Sequence, residues 1–266
     1  MKEIKNILQT VRKESPILYG VVVFHFVLAL ASAIGWIFDD RMLMGINVWV
    51  KPLKFTISGG LYVLTSGFLI TLYPFSRRKK NIVNNIVSWT MAIEICIIVL
   101  QAARGVQSHY NQTSLLNGIL FGLMGILISI IVFVMVFFII ETIRLRLNTP
   151  RHVQWGILLG WLVVFFGSWV GGQMIGQMAH NVGVADGGEG LPLLNWSTIA
   201  GDLRIAHFFG LHGIQIIPLF AVALTNRWKA SSIAKSIVVI LFGLLYASWI
   251  AFTFYQAKQG IPLVRV

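Results

Sequence analysis

The stretch GDLRIAHFFGLHGIQIIPL, residues 201–219, contains ionisable and polar side chains within an otherwise apolar segment. These side chains are Asp202, Arg204, His207, His212 and Gln215. A neutral imidazole can bind a metal ion, and a guanidinium can pair with a carboxylate or a phosphate. In an α-helix the last four would fall within one arc of about 140°. We therefore expect this arc to line a cavity and to face away from the small residues of the same helix.

Polar side chains form similar stripes on other apolar segments. The members assigned to the same cavity are Glu94, Gln101 and Arg104 in the third segment, Gln173, Gln177 and His180 in the fifth, His25 in the first and Lys54 near the start of the second. An ionisable group at membrane depth costs several kcal/mol unless it is paired or hydrated. We therefore expect Glu94 to pair with His207 or His212, in a cavity that opens to the outer face.

The first interpretation of this cavity is a cofactor site with a redox-linked role. Ligands to a haem or a transition metal ion would come from His180, His207, His212 and Glu94. Arg104 and Arg204 would receive an anionic group such as a haem propionate. The opposing interpretation treats each histidine as a core residue that hydrogen-bonds to its neighbours.

A second interpretation makes Glu94 the proton carrier of a proton-coupled transporter of small solutes, with the stripes of the fifth and sixth segments binding the solute. A third is an assembly or scaffold protein whose polar stripes only join helices. A small anionic ligand or a quinone is a further candidate partner, and self-association stays open. The sequence does not decide whether the protein is an enzyme.

Several signatures of known chemistry are absent from the sequence. There is no HExxH zinc motif, no Gly-x-Ser-x-Gly nucleophile elbow and no phosphate-binding glycine loop. The seventh apolar segment contains no lysine that could form a retinal Schiff base. A single cysteine, Cys96, excludes an intramolecular disulfide and a cysteine-rich zinc site.

The composition determines which kind of element must position these residues. The 266 residues are 57% hydrophobic and only 11% charged, whereas a soluble domain carries roughly 25% charged residues. The net charge of +12 comes from basic residues that flank apolar segments. These features predict a protein of the lipid bilayer and argue against a nucleic-acid partner.

The apolar segments predict an all-α polytopic membrane protein, a seven-transmembrane-helix bundle that forms one domain over residues 1–266. The predicted spans are 17–38, 53–74, 82–103, 115–143, 153–178, 203–225 and 233–255. Each is long enough to cross a bilayer as a helix. We expect the first to be a retained span rather than a cleaved signal peptide, because its apolar run continues to Phe38.

The basic residues predict an orientation with the N-terminus inside and the C-terminus outside. In that orientation 14 Lys and Arg residues lie on the inner side and seven on the outer side, as the positive-inside rule requires. The compact chain is typical of a bacterial inner (cytoplasmic) membrane protein. We interpret the sequons at Asn111 and Asn195 as chance occurrences.

Glycines and loops complete the expectations. The glycine pairs 156/160, 167/171 and 172/176 of the fifth span predict close helix contact, matched by Ala206, Gly210 and Gly213 of the sixth. The glycine-rich outer loop 179–202, with Asp186 and Glu189 in a turn, is a candidate lid. Lys51 and Lys54 are expected to reach towards the interface, and His109 and His152 are expected to be solvated.

Overall fold

The computed structural model describes residues 2–188 and 190–265, and the described residues contain eight helices and two short two-stranded sheets. Seven of these helices are long and apolar enough to cross a membrane. The prediction of an all-helical integral membrane protein with seven apolar spans is therefore confirmed. The helices are α1 (Lys2–Glu14), α2 (Pro16–Phe38), α3 (Val50–Leu72), α4 (Arg77–Ala103), α5 (Leu115–Arg144), α6 (Arg151–Gln177), α7 (Leu203–Arg227) and α8 (Ser232–Lys258).

Local signals account for the ends of several helices. Pro16 begins α2 at a position where a missing N–H is harmless. The Ser76 and Ser231 hydroxyls cap α4 and α8 by accepting backbone N–H groups. Met178 ends α6 in the left-handed conformation, with φ of 55°. Helix α3 starts at Val50, which puts Pro52 in the first turn, where a proline is tolerated.

Helix α1 was not among the sequence-based expectations, which treated these residues only as a basic flank. It is attached to the rest of its unit by Val11, which is fully buried. A Cβ added to Gly67 of α3 would lie 3.0 Å from the Val11 side chain. At the junction with α2, the Asn84 amide donates to the Ser15 hydroxyl over 2.7 Å. Packing of α1 on α2 and α3, together with this buried hydrogen bond at the junction, thus holds α1 in place.

Contacts divide the chain into two compact units, unit 1 up to Val134 and unit 2 from Met135. In unit 1, α2 packs on α3 and α4, and α3 packs on α4. Ile98 of α4 and Met124 of α5 belong to one buried apolar cluster in this unit. The prediction of one domain over the whole chain stays a prediction.

A small hairpin in unit 1 positions the start of α3. Strands β1 (Met42–Leu43) and β2 (Ile46–Asn47) pair antiparallel between α2 and α3. The Trp49 indole N–H donates to Asp39 Oδ2 over 2.7 Å, and the Trp49 backbone N–H donates to Asn47 Oδ1 over 2.9 Å. The Arg41 guanidinium and the Trp49 indole hold the pKa of Asp39 well below its usual value.

In unit 2, α6 packs along α7, and α8 packs on both. The predicted glycine contacts are confirmed in part. A Cβ on Gly167 would lie 2.7 Å from the Gly210 backbone, and a Cβ on Gly160 would lie 3.1 Å from Ile214 Cα. For Gly172 and Gly176, an added Cβ would instead have no atom of the described residues within 4 Å. Only part of the glycine pattern therefore serves this interface.

The two ends of the long loop in unit 2, between α6 and α7, pair with each other. Strand β3 (Asn181–Val182) pairs antiparallel with strand β4 (Gly201–Asp202), immediately before α7. Gly201 lies against α8, where a Cβ would come within 1.9 Å of the Ala257 carbonyl oxygen. The loop is thus fixed to the helices by a position that only glycine can occupy.

Candidate functional site

Glu94 lies on α4 in unit 1, within the apolar part of the chain. Its Oε2 is buried and has no hydrogen-bond partner among the described residues. Lys51 of α3 is close enough for its charge to act on the Glu94 carboxyl. A carboxyl with an unused buried oxygen is a group that can gain or lose a proton without breaking a hydrogen bond at that oxygen.

Lys51 connects this carboxyl to the segment that follows α4. Its Nζ donates to His109 Nδ1 over 3.2 Å, and the Ser108 hydroxyl lies 3.0 Å from the same nitrogen. The His109 ring packs against Phe55 and Phe121, with ring centroids 5.8 and 6.5 Å apart. His109 is half-buried against these rings, so the expectation that it is solvated holds only for part of its side chain.

His25 of α2 is completely buried in unit 1. Its Nδ1–H donates to the Val21 carbonyl over 2.8 Å, while its Nε2 has no hydrogen-bond partner among the described residues. The ring fits against glycine in α3, where a Cβ on Gly59 would lie 3.0 Å from Nε2. Because a carbonyl only accepts, the neutral ring presents an unshared electron pair at Nε2.

Gln101 and Arg104 belong to an amide cluster at the C-terminal end of α4. Arg104 Nη1 donates to Gln101 Oε1 and, over 2.9 Å, to Asn117 Oδ1. Gln101 Nε2 donates to the same Asn117 oxygen over 3.2 Å, and Asn117 Nδ2 donates to Thr113 Oγ1 over 3.0 Å. These two predicted cavity residues thus join α4 to the start of α5.

His207 of α7 packs directly on α6 in unit 2. Its Nδ1–H donates to the Gly167 carbonyl over 2.8 Å, and a Cβ on Gly171 would lie 2.8 Å from its Cε1. Gly210 of the same helix also contacts Gly167. The expectation that the polar arc faces away from the small residues is therefore wrong for His207. The bond to Gly167 leaves Nε2 as the lone-pair nitrogen of the neutral ring.

His212 lies further along α7, with its ring 4.6 Å from the Phe208 ring. It is near enough to His207 for their charges to interact. Gln215, its neighbour along the same helix, has a buried Oε1 with no hydrogen-bond partner among the described residues. These two histidines are the predicted cofactor ligands that the structure places near each other.

Arg204 and Asp202 form a buried clamp at the start of α7. Arg204 Nε donates to Asp202 Oδ1 over 2.9 Å, and Nη2 donates to Oδ2 over 2.6 Å. The Asp202 carboxylate, which is fully buried, also accepts the backbone N–H groups of Arg204 and Ser197, each over 2.9 Å. Arg204 Nη2 additionally donates to the Asn195 carbonyl. The predicted anion-binding arginine thus already has a carboxylate partner.

His180 lies in the long loop beyond the end of α6. Its Nδ1 is 2.7 Å from Asp186 Oδ2, and its backbone N–H also donates to that carboxylate. Burial raises the pKa of Asp186, but hydrogen bonds from His180 and from the Asn181 backbone outweigh burial and leave the pKa below its usual value. The predicted turn is formed around Asp186, while Glu189 lies outside the described residues.

The remaining predicted cavity residues are Gln173, Gln177 and Lys54, which lie near the ends of α6 and α3. Gln177 is the last residue of α6 and donates to the Ala179 and Asn181 carbonyls over 3.1 and 3.2 Å, which joins the end of α6 to the start of the long loop. Gln173 is half-buried one turn earlier. Lys54, like Lys51, lies within the first turns of α3.

Within each unit, no three His, Cys, Asp or Glu side chains among the described residues come close enough together to hold a metal ion. The sequence predicted a ligand set with Glu94 in unit 1 and three histidines in unit 2. The proposed pairing of Glu94 with His207 or His212 joins residues of both units and stays a prediction.

Sequence reasoning also missed a buried histidine at the other end of unit 2. His152 is 3% exposed, and its Nε2 lies 2.7 Å from the Thr225 hydroxyl. The expectation that His152 is solvated is therefore wrong. His152 lies in the first turn of α6, opposite the last turns of α7, whereas the predicted span began one residue later, at 153.

Comparison of the chain with protein families, with curated proteins and with solved structures gives no match.

Proposed function

We propose that this chain is a proton-coupled membrane transporter of small solutes, in which Glu94 takes up and releases the proton. The observation that supports this proposal is the Glu94 carboxyl itself, which has a buried, unbonded Oε2 and a lysine as its electrostatic partner. Intramembrane carboxyls of this kind are typical of proton relays in transporters. A structural carboxylate would instead have its oxygens satisfied by hydrogen bonds.

Lys51 and His109 provide a path for the proton between Glu94 and the loop after α4. Lys51 acts on the carboxyl at one end and bonds to His109 Nδ1 at the other. A change in the charge of Glu94 would therefore be felt by Lys51 and by the loop that carries His109. In the proposed orientation, with the N-terminus inside a bacterial inner membrane, this loop faces outward.

Infrared difference spectroscopy of the purified chain tests the proton site without a substrate. Spectra recorded between acidic and alkaline pH are expected to contain a carboxylic-acid C=O band that is lost in Glu94→Gln. The matched control is Glu141→Gln, because Glu141 is held in an ion pair with Arg144 over 2.8 Å. A band that is unchanged in Glu94→Gln would contradict the proposal.

Transport is tested in proteoliposomes with an entrapped pH dye, challenged in turn with lactate, alanine and glucose. At least one of these solutes is expected to drive proton entry, and Glu94→Gln is expected to abolish this signal while Glu141→Gln retains it. Absence of proton movement with all three solutes, or full activity of Glu94→Gln, would count against coupled transport.

The second candidate function is a haem- or metal-binding protein with a redox-linked role. His207 favours it, because its Nδ1–H bond to the Gly167 carbonyl leaves Nε2 free to act as a ligand. His25 has the same arrangement through Val21. Visible absorption and metal analysis of the purified protein test this candidate. A band that His207→Ala removes and His152→Ala retains would support it, whereas a colourless, metal-free preparation that still transports would reject it.

A further inference from the structure

The long loop of unit 2 encloses a cavity of about 170 Å³ next to the Arg204 clamp. Its lining consists of Asn181, Val184, Ala185, Gly187, Gly188, Asn195, Ser197, Ile199 and Arg204. A space of this size holds several water molecules or one small organic molecule. The lining mixes a guanidinium, two amides and a hydroxyl with short apolar side chains. Small-molecule sites have this composition, with few polar groups that fix orientation.

The polar groups of the lining have hydrogen-bonding capacity left over. Asn181 is 8% exposed, and its Nδ2 donates to the Ala185 carbonyl over 3.3 Å. That bond fixes the amide so that Oδ1 is the remaining acceptor, and Oδ1 has no hydrogen-bond partner among the described residues. A buried amide oxygen without a partner costs about 1–3 kcal/mol. Neighbouring atoms cover Oδ1, and a ligand donor that displaced them to reach it would recover that cost.

Arg204 supplies the complementary donor. Its Nε and Nη2 are directed to Asp202 and to the Asn195 carbonyl. Its Nη1 makes no hydrogen bond within the described part of the chain, and the side chain is 25% exposed. The Asp202 carboxylate accepts from both Arg204 and Ser197 and is sealed from solvent. Arg204 therefore keeps a hydrogen-bond donor at Nη1, although its charge is already paired with Asp202.

We propose that this cavity binds a small hydroxycarboxylate. The carboxylate accepts from Arg204 Nη1, and the ligand hydroxyl donates to Asn181 Oδ1. Ser197, whose Oγ accepts from the Ala200 N–H over 3.1 Å, keeps its hydroxyl proton available. A phosphate ester fits less well, because its oxygens are all acceptors and would leave Asn181 Oδ1 unsatisfied. This site does not depend on proton transfer at Glu94.

Isothermal titration calorimetry on the full-length chain in detergent tests the proposal with three matched three-carbon probes. L-lactate carries both groups, propionate carries only the carboxylate, and 1,2-propanediol carries no carboxylate. Lactate is expected to bind about tenfold more tightly than either of the others, as expected for one lost hydrogen bond of about 1.4 kcal/mol. Equal affinity for lactate and propionate, or no binding of lactate to the folded chain, would overturn the proposal.

Two variants locate the binding site within the loop. Asn195→Gly deletes an amide of the lining and keeps a backbone with φ of 54°, which glycine adopts freely. Leu193→Gly is the matched control, because Leu193 also has a positive φ, of 63°, is 60% exposed and lies outside the cavity lining. Lactate affinity should fall in Asn195→Gly, because the lining loses a polar side chain, and be unchanged in Leu193→Gly. Equal losses in both variants would assign the effect to loop flexibility and overturn the site.

Because binding is measured by calorimetry, its failure is distinguishable from a failure of transport. If the wild-type chain and the Glu94→Gln variant both bind lactate, this would confirm that the two sites act separately. Loss of lactate binding in Glu94→Gln, with the protein folded, would overturn the assignment to the loop cavity.

Discussion

Asp202 in unit 2 and Glu94 in unit 1 are both shielded carboxyls, and their surroundings are opposite. Asp202 is fully buried, and its two oxygens accept from the Arg204 side chain and from two backbone N–H groups. Glu94 has a buried oxygen with no hydrogen bond among the described residues. A fully bonded carboxylate holds the chain in one shape, whereas an under-bonded one retains the capacity to exchange a proton. Burial alone therefore does not identify a functional carboxyl.

The largest expected effect comes from the strand that carries Asp202. In Gly201→Ala, the new Cβ would lie 1.9 Å from the Ala257 carbonyl oxygen, so strand β4 or α8 must move. We expect a loss of about 3 kcal/mol or a failure to fold. Gly172→Ala is the control, since no atom lies within 4 Å of its Cβ. Thermal unfolding in detergent measures both, and equal stability of the two variants would show that β4 does not fix Asp202.

The next effect concerns the carboxylate itself. Asp202→Asn leaves the Arg204 guanidinium without its counter-ion in a largely buried place, and we expect it to destabilise unit 2 by about 3 kcal/mol. The double variant Asp202→Asn with Arg204→Gln should recover part of this loss, because no charge remains unpaired. If the single and double variants unfold at the same temperature, the pair contributes packing rather than charge compensation.

Much of the fold could be predicted from the sequence, because the signals are local. Apolar length alone identifies seven spans, and four-residue spacing identifies the contact of Gly167 with α7. The clamp at the start of α7 had a readable signal as well. Asp202 stands at the N-cap position, where an aspartate accepts a backbone N–H of the first turn.

The partners of the candidate site residues could not be predicted, because they depend on tertiary packing. Lys51 was expected to reach towards the interface, yet it acts on Glu94 and bonds to His109. His207 was placed on a cavity face by helical angles, yet it packs on α6 and bonds to Gly167. Periodicity gives the face of a helix but not the neighbour that this face contacts.

Lowering the pH is expected to have a smaller effect, which is a loss of stability in the long loop. The pKa of Asp186 is lower in the folded chain than in the unfolded one, so its bonds to His180 and Asn181 contribute stability above about pH 4. That stability is lost as pH falls through the folded-state pKa. The protection of the amides at 179–202 against hydrogen exchange, taken relative to their intrinsic rates at each pH, should therefore fall at low pH in the wild-type chain, and Asp186→Asn should remove this dependence. A pH profile that is unchanged by Asp186→Asn would show that the Asp186 carboxylate does not stabilise the loop.

The smallest effect on stability is expected at Glu94, although its effect on function should be complete. Glu94→Gln is nearly isosteric and breaks no hydrogen bond at Oε2, and Lys51 keeps its bond to His109. The change in unfolding free energy should be about 1 kcal/mol or less, well below that of Asp202→Asn. Thermal unfolding of the two variants side by side measures this difference. A loss in Glu94→Gln as large as that in Asp202→Asn would place both carboxyls among the residues that only hold the fold, because a proton-exchanging group must tolerate its neutral form.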